Sequence, residues 1–126
     1  MISSLSSSAA STTVSQAIVS SNTQFTNPTT YSLETWFKTT TGSGGKLIGF
    51  GNAQTGLSSN YDRHIYMQDD GRLVFGVYTG QTNVITTANP YNNGAWHQVV
   101  ATQSSDGMKL YVDGALVGTN PQTAAQ

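Results

Sequence analysis

Cysteine is absent, which excludes disulfide frameworks, zinc–thiolate centres and thiol redox chemistry. Charge is scarce: Asp, Glu, Lys and Arg make up 9% of the 126 residues, against roughly 25% in average proteins, and the net charge is -1. The five Lys and Arg residues are scattered. Nothing tracks a phosphate backbone, so nucleic acid is not an expected partner. No apolar run approaches the ~18 residues of a spanning helix, and no membrane insertion is expected. The start, Met1-Ile2-Ser3-Ser4-Leu5-Ser6-Ser7-Ser8, lacks the basic and apolar regions of a signal peptide.

The polarity comes instead from Ser, Thr, Asn, Gln and Gly, and the hydrophobic fraction is 37%. That is too apolar and too weakly charged for a disordered chain. The length suits one domain with its own core. Neutral polar surfaces are common on secreted and cell-surface β-proteins, and a chain without cysteine fits a bacterial exported protein. The expected location is therefore extracellular or on a bacterial cell surface. If exported, the chain is a piece of a larger precursor and Met1 is an added start.

Residues 1–13 are Ser/Ala/Thr-rich and read as a linker or a loose first edge strand. The folded domain is expected over 14–126. Strands are expected at Gln16–Ser20, Tyr31–Thr39, Lys46–Phe50, Asp62–Gln68, Arg72–Tyr78, Val84–Thr87, Trp96–Gln103, Met108–Val112 and Ala115–Thr119. In the second, alternation places Tyr31, Leu33, Thr35 and Phe37 on a core face, opposite Ser32, Glu34, Trp36 and Lys38. Asp69-Asp70-Gly71 signals a hairpin. A two-residue turn would pair Tyr66 with Phe75, and a three-residue loop would shift that register. Trp96 to Gln103 is apolar on both sides, with Trp96 and Val100 opposite Val99 and Ala101, as in a central strand covered on both faces. Asp113-Gly114 suits a type I′ turn that puts Met108, Leu110, Val112, Ala115 and Val117 on one face. No helical stripe appears. The expected fold class is all-β: an antiparallel, jelly-roll-like β-sandwich.

With the strands placed, the chain resembles the laminin-G-like, concanavalin A-like lectin/glucanase superfamily in its bacterial form. The resemblance rests on Tyr31–Lys38, Lys46–Gly51, Gly71–Gly76, Asn93-Gly94-Ala95-Trp96-His97-Gln98-Val99-Val100-Ala101 and Met108–Gly114, in the family's order over roughly residues 30 to 118. It implies a sandwich and a binding role. Members usually continue with further C-terminal strands, and this sequence stops at Gln126. The sandwich is thus expected to be incomplete: a truncated chain, a fragment of a split domain, or a variant that closes by self-association. An unfilled strand slot invites strand addition, so a complementary C-terminal strand fragment or a second copy is a candidate partner.

Glucanases share this fold, which makes glycoside hydrolysis the enzymatic alternative. Glycosidases need two carboxylates about 5–5.5 Å or about 6.5–9.5 Å apart. Glu34 is the only glutamate, and Asp69, Asp70, Asp106 and Asp113 sit in turns, where Asp is favoured for backbone reasons. His64 and His97 have no nucleophile elbow around them. His97 reads as a packed, hydrogen-bonded ring, and His64 as structural or solvent-facing. Calcium is a candidate cofactor by resemblance, with Asn60 and Asp62 of the Ser58–Asp62 loop as candidate oxygen ligands. Sugars present an apolar face ringed by hydroxyls. Trp36 with Glu34 and Lys38 offers a matching platform on a strand, and Tyr61, Asp62 and Arg63 offer one on a loop. The competing reading buries Trp36 under a second layer and packs Tyr61 and Arg63 as ordinary loop residues, with Asp62 paired to Arg63. The expected function is a non-catalytic recognition or adhesion module binding glycan or protein. Its rivals are a split-sandwich fragment and, more distantly, a glycosidase.

Overall fold

The structure is a computed structural model describing residues 2–4, 19–54 and 58–126. Ten strands form: β1 Ile2–Ser4, β2 Val19–Ser20, β3 Tyr31–Lys38, β4 Gly45–Gly51, β5 Tyr61–Met67, β6 Arg72–Tyr78, β7 Thr82–Pro90, β8 Trp96–Ser104, β9 Gly107–Val112 and β10 Ala115–Asn120. They make two antiparallel sheets. One runs β2-β1-β4-β5-β6-β7 and the other β10-β9-β8-β3. No helix occurs among the described residues. The expected all-β sandwich is observed. β1 pairs with both β2 and β4, so Ile2–Ser4 lies inside a sheet and is not its edge. Of the strand expected at 16–20, residues 16–18 lie outside the described residues, as do 5–13 of the expected N-terminal segment.

Alternation decides what faces the core. In β3, Leu33, Thr35 and Phe37 are buried while Ser32, Glu34, Trp36 and Lys38 are exposed. Ile48 and Phe50, Ile65 and Met67, Leu73, Phe75 and Val77, Val99 and Ala101, and Met108, Leu110 and Val112 complete the core between the sheets. Each large apolar side chain removed from water contributes about 1.5–3 kcal/mol. Tyr31 packs edge-on against Phe50 and Phe75, with ring centroids at 5.8 and 6.5 Å.

Both hairpin turns follow their chemistry. Tyr66 pairs with Val74 and Ile65 with Phe75, so the loop after β5 is the three-residue form, Asp69-Asp70-Gly71. Gly71 sits at φ 86°, and the Gln68 and Arg72 backbones close the loop. Its third position needs a left-handed backbone, which the glycine supplies at little cost. Asp113 and Gly114 both take positive φ, 51° and 82°, as a type I′ turn demands.

Two expectations about faces are corrected. β8 is central in its sheet, yet only one of its faces is covered. His97, Val99, Ala101 and Gln103 are buried, Gln98, Val100 and Thr102 are half-buried, and Trp96 is exposed. The strand covered on both faces is β6, where Leu73 to Val77 are all buried. An apolar run alone does not separate these cases, because sheet order decides which strand has a layer on each side. Ala115, expected on the core face, is exposed at the sheet end. A bulge between Leu116 and Gly118 then resets β10, so that Val117 packs against the core.

The segment after β10 folds back across the sandwich. Gln103, buried on the inner face, accepts the Tyr31 hydroxyl at 2.7 Å and donates to the Ala124 carbonyl at 2.8 Å. The Gln126 N–H donates to the Tyr78 carbonyl at 3.1 Å, and Ala125 packs on the core.

Candidate functional site

The residues singled out from sequence separate into two places. Tyr61, Asp62 and Arg63, with Asn60, line a cavity of about 790 Å³ at one rim of the sandwich. Trp36 and Glu34 lie on the outer face of the four-stranded sheet and take no part in it.

The rim cavity is built from strand ends. Residues 24–27, leading into β3, form one side. Phe50, Gly51 and Asn52 at the end of β4, Ser59–Arg63 at the start of β5, Tyr78 at the end of β6 and Gln126 form the rest. Tyr61, Asp62 and Arg63 open β5 and do not sit in a loop as expected. Phe25, Tyr61 and Tyr78 expose 45%, 61% and 44% of their surface, so three aromatic rings stand open beside asparagine, aspartate and arginine. Phe25, Asn52 and Tyr78 had no signal in the sequence, since only folding brings these segments together.

Arg63 organises this end. It points inward on the same face as Ile65 and Met67 and is 2% exposed. A bulge places it as the extra residue between the Gly49–His64 and Phe50–Asp62 pairs, at φ 45°. That is a left-handed backbone which non-glycine residues adopt at a cost, and such strain gathers at functional sites. The guanidinium lies 6.0 Å from the Tyr31 ring centroid and 5.8 Å from that of Phe50. Its Nε donates to the Pro28 carbonyl at 2.8 Å, and Nη1 donates to Asp62 Oδ2 at 3.0 Å. Nη2 is buried with no hydrogen-bond partner among the described residues. Asp62 Oδ1 accepts from the Tyr78 N–H at 2.7 Å. One ion pair thus ties the segment before β3 to β5 and β6. Burial pushes the Tyr31 phenol above its ordinary value, and the nearby guanidinium works against that shift.

Both Asp62 oxygens are engaged, one by a guanidinium, and the Asn60 carbonyl accepts from the Asn52 N–H at 3.1 Å. No cluster of three or more His, Asp or Glu side chains able to hold a metal occurs among the described residues.

Tyr61 also stacks edge-on against His64 at 5.3 Å, and His64 lies 5.3 Å from Tyr66. Burial, then Lys46, lowers the His64 pKa. His97 is 8% exposed, as expected of a packed ring. Its Nδ1 lies 2.8 Å from Asp113 Oδ2 and its Nε2 3.0 Å from Asn93 Oδ1. Asp113 Oδ1 also accepts the Gln98 N–H at 2.9 Å. Two of the stretches that carry the family resemblance, Asn93–Ala101 and Met108–Gly114, therefore meet as a structural clasp between β8 and the β9–β10 turn. Glu34 Oε1 accepts from Gln98 Nε2 at 2.7 Å, and its cross-strand row of Val100, Tyr111 and Leu116 carries no second carboxylate.

A laminin-G-type family model, described as the concanavalin A-like lectin/glucanases superfamily, matches residues 11–126. No significant match was found among curated proteins or among solved structures.

Proposed function

The chain belongs to the concanavalin A-like lectin/glucanases superfamily, and from that premise we propose that it is a non-catalytic recognition module that binds a glycan in the rim cavity. The observation that carries this reading is the cavity's lining. Open rings of Phe25, Tyr61 and Tyr78 stand beside the fixed Asp62–Arg63 pair and the amides of Asn52 and Asn60. Sugar rings pack on aromatic faces while planar amides and charged groups bind their hydroxyls, and a concave mixed surface of this size suits a ligand of a few rings. The expected context is a secreted or surface protein of bacterial type.

The module positions its ligand and does no chemistry on it. In this reading Tyr61 supplies the principal stacking face, and Asp62, held in place by the buried Arg63, fixes the orientation of hydroxyls. An oligosaccharide array probed with the full chain should give a restricted set of binders. Tyr61→Ala should weaken them about tenfold or more while the melting temperature holds. An array with no binder at millimolar sugar refutes the glycan assignment. Hydrolysis of a β-glucan that is lost in Glu34→Gln refutes the non-catalytic one.

A further inference from the structure

An edge strand leaves a row of backbone N–H and C=O groups that another chain can pair with, and proteins blunt such edges with short strands, bulges and proline. Three of the edges here are blunted in those ways. β2 is only the pair Val19–Ser20. β7 ends in Pro90, just after a bulge in its pairing with β6. β10 carries the bulge between Leu116 and Gly118. β3 is the exception. Tyr31–Lys38 contains neither proline nor glycine and keeps an unbroken register with β8. Among the described residues no strand lies on its other side.

Gln98 fixes which backbone groups face that open side. In an antiparallel ladder the N–H and C=O of one residue point to the same side, and the side alternates along the strand. The Gln98 N–H donates to Asp113 Oδ1 at 2.9 Å, and its carbonyl accepts the Asp113 N–H at 2.9 Å. Both therefore point away from β3. Trp36 lies opposite Gln98, so its own N–H and C=O turn away from β8, as do those of Ser32, Glu34 and Lys38. The Trp36 carbonyl has the Thr35 hydroxyl at 3.4 Å and keeps a second lone pair. The side chains of these same residues are exposed on the outer face, with Trp36 between an acid and a base.

The other sheet limits what fits. Tyr31 of β3 packs on Phe50 of β4, so β4 lies over β3. β1 and β2 carry that sheet on past β4, whereas the four-stranded sheet stops at β3. The space beside β3 is thus roofed for about two strand widths, at ~4.8 Å each. A second copy joined edge to edge through β3 brings its own β4 into the layer that β1 fills. A single extended segment brings no second layer.

We propose that the free edge of β3 is a docking site for an extended peptide segment of a partner protein, which adds to the four-stranded sheet as an antiparallel fifth strand. Its residues opposite Leu33, Thr35 and Phe37 turn inward and are apolar. On the outer face it is basic opposite Glu34, acidic opposite Lys38 and β-branched or aromatic opposite Trp36. Main-chain hydrogen bonds supply the affinity, and the alternate side chains supply the specificity. β3 does not line the rim cavity, so the site stands or falls apart from the glycan reading.

The probe is an acetylated, amidated heptapeptide, EVTVKVT, which meets this pattern with its first residue opposite Lys38. In the free full chain, amide exchange should be fast at Glu34 and Trp36 and slow at Leu33, Thr35 and Phe37, which are bonded to β8. Millimolar peptide should slow Glu34 and Trp36 about tenfold or more. The charge-swapped KVTVEVT should bind about threefold or more weakly. Methylating the backbone nitrogen of the first threonine, which would bond the Trp36 carbonyl, should abolish the effect on an unaltered protein. Glu34→Pro should abolish it too, with the parent melting curve, since proline is tolerated where the lost N–H faces outward. Tyr61→Ala should leave it unchanged. Protection of Glu34 and Trp36 in the free chain overturns the proposal, because the edge is then already occupied. So does exchange unmoved by EVTVKVT, or equal protection by the charge-swapped or N-methylated peptide. A concentration-dependent dimer lost in Glu34→Pro also overturns it, since a second copy then takes the edge.

Discussion

Removing the Asp62 carboxylate should destabilise the protein by about 3 kcal/mol, although the residue is a polar one at the rim. Arg63 beside it is 2% exposed, with the carboxylate at 3.0 Å and 17% exposed. Breaking such a pair from one side leaves an unpaired buried charge, which costs about 3–5 kcal/mol when both partners are fully buried. The partial exposure of Asp62 pulls that figure down, and the lost hydrogen bond from the Tyr78 N–H adds about 1–3 kcal/mol. For a domain between the usual small and medium sizes, 1 kcal/mol shifts the midpoint by roughly 3–5 °C, so Asp62→Ala should melt about 10–15 °C lower. Urea unfolding should show a lower midpoint with an unchanged slope. The double variant Asp62→Ala with Arg63→Met is the informative companion. It removes the charge, the orphaned Nη2 and the lost partner together, and should recover about 1–3 kcal/mol relative to the sum of the single changes. A single-variant cost below about 1 kcal/mol, or strict additivity in the double, refutes the keystone role given to this ion pair.

Three further outcomes follow from the same geometry. Burial raises the Asp113 pKa, but hydrogen bonds from His97 and the Gln98 N–H outweigh it and hold the carboxyl below its ordinary value of 3.8. A depressed carboxyl stabilises the fold above its unfolded value and stops doing so as pH falls through the folded one. Stability should therefore drop as pH falls below 3.8, and His97→Gln should blunt that drop in melting curves recorded against pH. Gly49→Ala should cost more than about 2 kcal/mol by denaturant unfolding, because its Cβ would overlap the Cβ and Cα of His64 on β5, which cannot move without shifting the strand. Gly71→Ala should cost about 1–2 kcal/mol, from a left-handed backbone at φ 86° and overlap with the Asn92 side chain; a cost near zero would refute the left-handed backbone assigned to Gly71.

Strand identity, the β3 face assignment and the β9–β10 turn were all legible locally. Period-two alternation and Asp-Gly turn chemistry act over a few residues and need no partner to be read. Arg63 also left a mark, as a cation in register with Ile65 and Met67, the pattern of a buried charge that must find a partner. The exposure of Trp96 left none, because it depends on whether a second layer lies over β8.

By itself the sequence determined an all-β, cysteine-free, weakly charged sandwich of the lectin/glucanase type. It also supplied the two groups of aromatic and polar residues suited to binding. Tertiary structure alone decided that these groups face different ways. Tyr61, Asp62 and Arg63 join Phe25 and Tyr78 at a rim assembled from five separate segments. Trp36 joins Trp96 across a strand pair 60 residues apart in sequence, as the Lys38–Trp96 and Trp36–Gln98 register dictates. Which residues become neighbours depends on sheet order and register, and those are fixed by the whole core at once and not by any single strand.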